Sequence, residues 1–248
     1  MRTGHPFCIH NLNYRRLHTL PFRLADVNLS GGGGLLERLR HMTVTEIKEI
    51  TKSRVKVAID GEPAFVLYKG ELRAYGIKEG QEIREEDYQT ILTQILPKRA
   101  KMRALNLLKS RAYTSFQLEE KLTMGGYPRE IILEALSYVE SFGYINDSQY
   151  AADFIEYNKE KKSRNRMAMD LRKKGIPDVI IREAMENAEG ADSEELEKTQ
   201  IVRWMEKKRF TPHTATLQEK NKMTAFLFRK GFSIDTIRNV LSLDITSI

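Results

Sequence analysis

The side chains able to do chemistry are few in this 248-residue chain, and their spacing suits little beyond charge. Cys8-Ile9-His10, with His5 and His18 nearby, could bring soft metal ligands together, but that stretch has no sustained period and no second cysteine exists. An intrachain disulfide and a zinc site built on several thiolates are therefore excluded. Beyond His41 the sole histidine is His213, next to Pro212, so an imidazole acid–base site in the patterned region would rest on that one residue. Gly31 to Gly34 lacks the lysine and hydroxyl pair of a phosphate loop. Glu119-Glu120, Glu130 and Glu134 read as hydrated helix faces, Asp147 as a helix cap, and Trp204 as a core anchor sharing a face with Ile201 and Met205, or else an exposed stacking group. No catalytic, cofactor or metal site is expected, which favours a binder over an enzyme.

What remains is positive charge. Lys159, Lys161, Lys162, Arg164 and Arg166 run into Asp170 and then Arg172-Lys173-Lys174. Lys98, Arg99, Lys101 and Arg103 form a second patch, and Lys207-Lys208-Arg209 a third. Spaced cations of this kind suit an acidic surface or a phosphate backbone, against the bland alternative of solubilising charge. The net charge of +7 decides little: residues 1–41 hold +4, 42–96 hold −2, 97–187 hold +4 and 188–248 hold +1. No run approaches the roughly 20 apolar residues that span a bilayer. A single cysteine fits a reducing, cytoplasmic setting.

The elements that must position these cations are announced by a pattern occurring three times. Its copies are Leu118…Leu122…Gly126-Tyr127-Pro128…Ile132…Leu136, Met167…Leu171…Gly175-Ile176-Pro177…Ile181…Met185, and Met223…Leu227…Gly231-Phe232-Ser233…Ile237…Leu241. Counted from the residue after each glycine, apolar positions fall at −9, −5, +5 and +9, with Ala135, Ala184 or Val240 at +8. That spacing predicts a helix, a glycine stop and a second helix, repeated at separations of 49 and 56 residues. Pro128 and Pro177 open the following helix, and Ser233 does so as an N-cap. Thr114 with Gln117 makes a capping box. Asp147-Ser148 and Asp192-Ser193 precede further helical runs, so each repeat holds three helices, over 98–142, 147–187 and 192–242. Thr211-Pro212 is expected to break the helix beginning near Asp192. Such repeats predict an elongated, curved array presenting a surface rather than a pocket.

Residues 42–96 predict a small strand-rich module with a closing helix. Val55–Ile59 and Ala64–Tyr68 flank Asp60-Gly61 as a hairpin needing a third strand or helices beside it. A helix follows from about Glu85 to Leu96, ended or restarted at Pro97. Residues 1–41 read as a disordered arm or an upstream extension, with a start at Met42.

The stretch Arg111-Ala112-Tyr113-Thr114-Ser115-Phe116-Gln117-Leu118-Glu119-Glu120-Lys121-Leu122 resembles the opening repeat of the RecX family, regulators of the RecA recombinase. So do Phe142-Gly143-Tyr144-Ile145-Asn146-Asp147-Ser148-Gln149-Tyr150-Ala151 and Leu171-Arg172-Lys173-Lys174-Gly175-Ile176-Pro177, and the 42–96 module looks like the extension of the longer, Gram-positive type. The family commonly carries glycine where this chain has Ser163-Arg164-Asn165-Arg166, and an acidic pair where it has Asn146-Asp147. The resemblance implies a non-enzymatic regulator of DNA repair and recombination in the SOS response. It would bind the recombinase–single-stranded DNA filament and limit filament extension, strand exchange, ATP turnover and coprotease activity. Single-stranded DNA would be met weakly or through the filament, by a monomer with no membrane partner. Lys162, Arg164, Arg166, Arg172, Lys173 and Lys174 would make the electrostatic contacts, with the other two patches secondary and Tyr144 and Tyr150 structural. A stand-alone nucleic-acid-binding helical repeat protein is the alternative.

Overall fold

The computed structural model describes residues 42–188 and 193–242. Expectations for residues 1–41, Cys8 and His10 included, and for Asp192 lie outside them. Strands β1 (Val44–Glu49), β2 (Arg54–Ile59) and β3 (Glu62–Tyr68) form an antiparallel meander in that order. Asp60 and Gly61 both have positive φ, 51° and 85°, as a two-residue hairpin turn with the right twist requires. Val55 pairs with Leu67 and Val57 with Phe65, all four buried, and β1 supplies the third strand with Val44 in the core. Helices α1 (Lys69–Ala74) and α2 (Glu85–Thr90) follow. At Pro97 the helix neither stops nor starts afresh: α2 continues through a π turn, Ile91–Ile95, into α3 (Leu96–Leu108). Pro97 lies in the first turn of α3, where the wider turn before it makes room for the ring and its missing donor.

Three helices per repeat are observed: α3, α4 (Ser115–Thr123) and α5 (Arg129–Ser141); α6 (Asp147–Asn158), α7 (Arg164–Arg172) and α8 (Asp178–Ala188); α9 (Ser193–Lys207), α10 (Leu217–Arg229) and α11 (Ile234–Ser242). The third helix packs on the first in each, α5 on α3, α8 on α6 and α11 on α9. The repeated apolar positions are the core: Leu122, Leu171 and Leu227 have no exposed surface, and Ile132, Ile181 and Ile237 are buried with them. The turn is built alike each time. The amide of Tyr127, Ile176 or Phe232 donates back to the carbonyl of Leu122, Leu171 or Leu227 at 3.5, 3.2 and 3.3 Å. The carbonyl of Pro128, Pro177 or Ser233 then accepts from Ile132, Ile181 or Ile237, each at 3.0 Å. The Ser233 hydroxyl also caps α11, accepting from the Thr236 amide at 3.0 Å.

The described residues divide into two compact units, 42–112 with 118–144, and 113–117 with 145–188 and 193–242. Within the first, a Cβ on Gly126 would overlap the Val66 side chain of β3. Within the second, a Cβ on Gly175 would overlap the Phe116 ring, and one on Gly231 would lie 2.7 Å from Ser163 Oγ and 3.0 Å from the Arg166 amide nitrogen. Both of these glycines also have positive φ, 78° and 93°, so the site demands glycine for its backbone and for its lack of a side chain. A hydroxyl completes each contact. Thr114, which caps α4, donates to the Lys174 carbonyl at 2.6 Å, and Ser163, which caps α7, donates to the Lys230 carbonyl at 2.8 Å. Each thereby satisfies a carbonyl that a helix end leaves open. Thr216, at the equivalent place before α10, is instead engaged by Glu219 in a capping box.

Two expectations are corrected here. Asp147 is not the cap of α6: Asn146 is, accepting from the Gln149 amide at 2.9 Å, while the Asp147 carboxylate accepts from the Ser115 amide at 2.9 Å. The helix before Thr211-Pro212 already ends at Lys207, because Arg209 takes positive φ (53°) and the Phe210 amide returns to the Met205 carbonyl at 2.9 Å.

Candidate anion-binding groove

The cations before and along α7 diverge. Lys162 Nζ and Arg166 Nε converge on the two oxygens of Asp170, at 2.9 and 3.3 Å, leaving the trio with net positive charge. Arg172 pairs with Asp178 at 2.6 Å, and Lys174 stands 5.6 Å above the Tyr150 ring. The Arg164 amide donates to Glu197 at 2.8 Å, and Lys173 is exposed. Of the six, only Lys162 and Arg166 line the groove that the rest of the second unit builds beside them.

That groove encloses about 540 Å³. One wall is Lys161, Lys162 and Arg166; the other is Arg229 and Lys230 from the end of α10, with Trp204 of α9 and Phe226 of α10 between them. No carboxylate is among its described lining residues. Trp204 and Phe226 meet edge to face, centroids 5.4 Å apart and planes at 73°. Lys230 and Lys207 hold ammonium groups 4.6 and 5.1 Å from the indole centroid, and Lys208 lies 5.0 Å from the Phe226 centroid. Trp204 packs against the core of the third repeat from its edge. Ile201 and Met205 occupy the core position on its helix, while the indole is partly exposed and forms the groove wall. A second hollow of about 360 Å³ shares Phe226 and adds Lys208, Arg209, Lys222 and Glu219. Hydrogen bonds from the Thr216 amide and hydroxyl hold the Glu219 carboxyl below its ordinary value.

Reading the sequence alone placed Lys161 in the basic run and overlooked Phe226, Arg229 and Lys230 as site residues. The signal was available, since aligning the copies on their glycines sets Arg229-Lys230 beneath Lys173-Lys174. What no alignment of copies shows is that Lys161 and Arg229, 68 positions apart, share one hollow.

The patch from Lys98 to Arg103 is a different case. Arg99 forms an ion pair with Glu71, donates to the Val66 carbonyl at 3.1 Å, and keeps 18% of its side chain exposed. Lys101 pairs with Glu134 at 2.6 Å with 17% exposed. Carboxylates of the first unit itself neutralise these two, so they are structural pairs rather than a landing surface. Lys98 and Arg103 remain exposed. Among the described residues no group of His, Cys, Asp or Glu could hold a metal ion, and no helix is long and apolar enough to cross a membrane. What the groove offers is a concentrated positive field beside two aromatic rings, suited to binding an anion that carries a flat apolar group.

Comparison with known proteins finds the same three-helix domains. Residues 100–138, 146–185 and 195–241 match the first, second and third three-helix domains of RecX. The chain is 33% identical over 204 residues to the regulatory protein RecX of Caldanaerobacter subterraneus subsp. tengcongensis, covering 82% of this chain and all of that protein. It is 28% identical over 205 residues to the one from Clostridioides difficile, covering 81% and 94%. A crystal structure of a regulatory protein RecX superposes with a TM-score of 0.54 at 22% identity, covering 82% of this chain and 100% of the other. RecX from Lactobacillus salivarius gives 0.51 at 24% identity, covering 60% and 96%; both likenesses show a shared fold. Three consecutive three-helix domains and a relative matched along its whole length place the chain in the RecX family, whose members are regulatory proteins and not enzymes.

Proposed function

We propose that this chain regulates a RecA-type recombinase by binding its filament on single-stranded DNA, limiting filament extension, strand exchange, ATP turnover and coprotease activity. Family membership supports regulation of the recombinase. The observation that carries the filament reading is the groove of the second unit, where five cations line one hollow with no carboxylate among them. Like charges converge at a cost unless an anion balances them, and a nucleoprotein filament presents phosphates in series. Lys162 and Arg166 contribute to that field from α7, and Lys207, Lys208 and Arg209 extend it at the end of α9. The protein acts in the cytoplasm, as a monomer.

The test is a parallel titration of the full chain against recombinase ATP hydrolysis and against DNA binding at several salt concentrations. Replacing Lys162, Arg166, Arg229 and Lys230 together with glutamine should weaken inhibition more than tenfold and flatten its salt dependence, by roughly 0.7 for each phosphate no longer neutralised. Inhibition unchanged at every salt concentration would remove the groove from the mechanism. Tight binding to bare strands with no effect on the recombinase would favour the stand-alone nucleic-acid binder.

A further inference from the structure

We infer that the groove of the second unit is a nucleotide subsite, stacking one base of a single strand on Trp204 and Phe226 while Lys162, Arg166 and Lys230 hold the flanking phosphates. Two features of the lining must be explained together. The cations alone would suit any anion, including an acidic peptide. The rings alone would suit any apolar group. A nucleotide uses both, because its phosphate carries the charge and its base presents a flat π face. A volume of about 540 Å³ falls within the range of small-molecule sites.

The two walls come from separate segments, 161–166 and 226–232, joined by the Ser163 hydroxyl bond to the Lys230 carbonyl. That bond and the close approach at Gly231 set the width of the hollow before any ligand arrives. Asp170 already balances part of the charge of Lys162 and Arg166, whereas no ion pair involving Arg229 or Lys230 exists among the described residues. Lys230 instead rests over the Trp204 indole at 4.6 Å. A base arriving on the indole face takes that place and frees the ammonium for the neighbouring phosphate. Arg229 and Lys230 also lie at the C-terminal end of α10, where cations stabilise the helix regardless of ligand. That role accounts for neither Lys161 and Arg166 on the facing wall nor the partly exposed indole in the lining.

The inference rests on the filament reading for its setting, but the two are separable by experiment. Trp204 is the sole tryptophan of the chain beside ten tyrosines, so fluorescence excited at the red edge, beyond tyrosine absorption, reports this hollow. The full-length protein is titrated with a twelve-nucleotide thymidylate strand, an abasic phosphodiester of equal length, and oligoglutamate. Quenching by the thymidylate strand, with weaker or absent quenching by the other two, is the expected result. By anisotropy of a labelled strand, Trp204→Leu should lose about tenfold or more in affinity with its salt slope unchanged, from a stacking contribution worth roughly that factor. Trp204→Phe should recover most of the loss, and Arg229→Gln with Lys230→Gln should lower both affinity and slope. Circular dichroism of each variant checks the fold, and Phe226→Leu repeats the stacking test if Trp204→Leu does not fold. A bound strand that leaves the fluorescence unmoved, equal quenching by oligoglutamate, or full affinity in Trp204→Leu would overturn the subsite. Wild-type protein that inhibits the recombinase without quenching sinks the subsite and spares the filament reading. Quenching without inhibition does the reverse.

Discussion

Arg99 in the first unit and Arg166 in the second carry the same charge, and their surroundings give them opposite work. Arg99 is mostly buried, paired with Glu71 and bonded to the Val66 carbonyl, so its guanidinium ties α3 to α1 and the sheet. Arg166 is less buried, shares Asp170 with Lys162, and lines a hollow with four other cations and no acid. The same contrast holds for Lys101 beside Glu134 against Lys230 above an indole. A run of basic residues therefore says little about binding until its carboxylate partners are located. Among the described residues, Arg99 and Lys101 of the Lys98–Arg103 patch have such partners, whereas no carboxylate lines the groove of the second unit.

Measurements on the two units can break that contrast or sharpen it. The largest effect is expected where the two are alike. Gly126→Ala and Gly231→Ala should each cost about 3 kcal/mol, from a left-handed backbone plus overpacking against Val66 or against Ser163 and Arg166, read by urea unfolding. A cost in one unit only would show that the glycine turns are not equivalent. Next comes the difference itself: Arg99→Ala should destabilise by about 2 kcal/mol, because Glu71 loses its partner while mostly buried. Arg166→Gln should stay within about 0.5 kcal/mol, since its pair is partly exposed and Lys162 still holds Asp170. Equal costs would abolish the distinction between structural and ligand-facing cations. Ser163→Ala should cost about 1 kcal/mol, removing a cap and leaving the Lys230 carbonyl without its donor.

The smallest effect is a pH dependence in the second unit. Glu219 titrates below its ordinary value because the Thr216 amide and hydroxyl bond its charged form. A depressed folded value means that its contribution is full above the unfolded carboxylate range and is lost as pH falls through the folded value. Glu219→Gln should lower neutral stability slightly and remove that part of the acid limb, so that the two stability–pH curves converge at low pH. An identical acid limb in both proteins would show that the capping box does not couple to folding.

Much of the fold was legible because local signals agreed with one another. The hairpin at Asp60-Gly61, the three glycine turns, the Thr114 box and the Ser233 cap all came from residues whose backbone needs are met by near neighbours. Where a neighbour distant in sequence intervened, the local reading slipped. Asp147 gave up the cap to Asn146 and took the Ser115 amide 32 positions away. Trp204 shares a helical face with Ile201 and Met205, yet lies at the edge of the core because Phe226 and Lys230 supply the groove beside it. For the site, two of six chosen cations, Lys162 and Arg166, reach the groove.

Periodicity and turn chemistry act within a few residues, so by itself the sequence determined the three-helix repeats and the strand module. Which cations lose their charge to the fold's own acids and which converge without one was decided by tertiary structure alone. The reason is that electrostatic neighbours are chosen by distance in space: Glu71 finds Arg99 28 positions on, and Lys161 shares a hollow with Arg229 where a hydroxyl and a glycine hold their segments together.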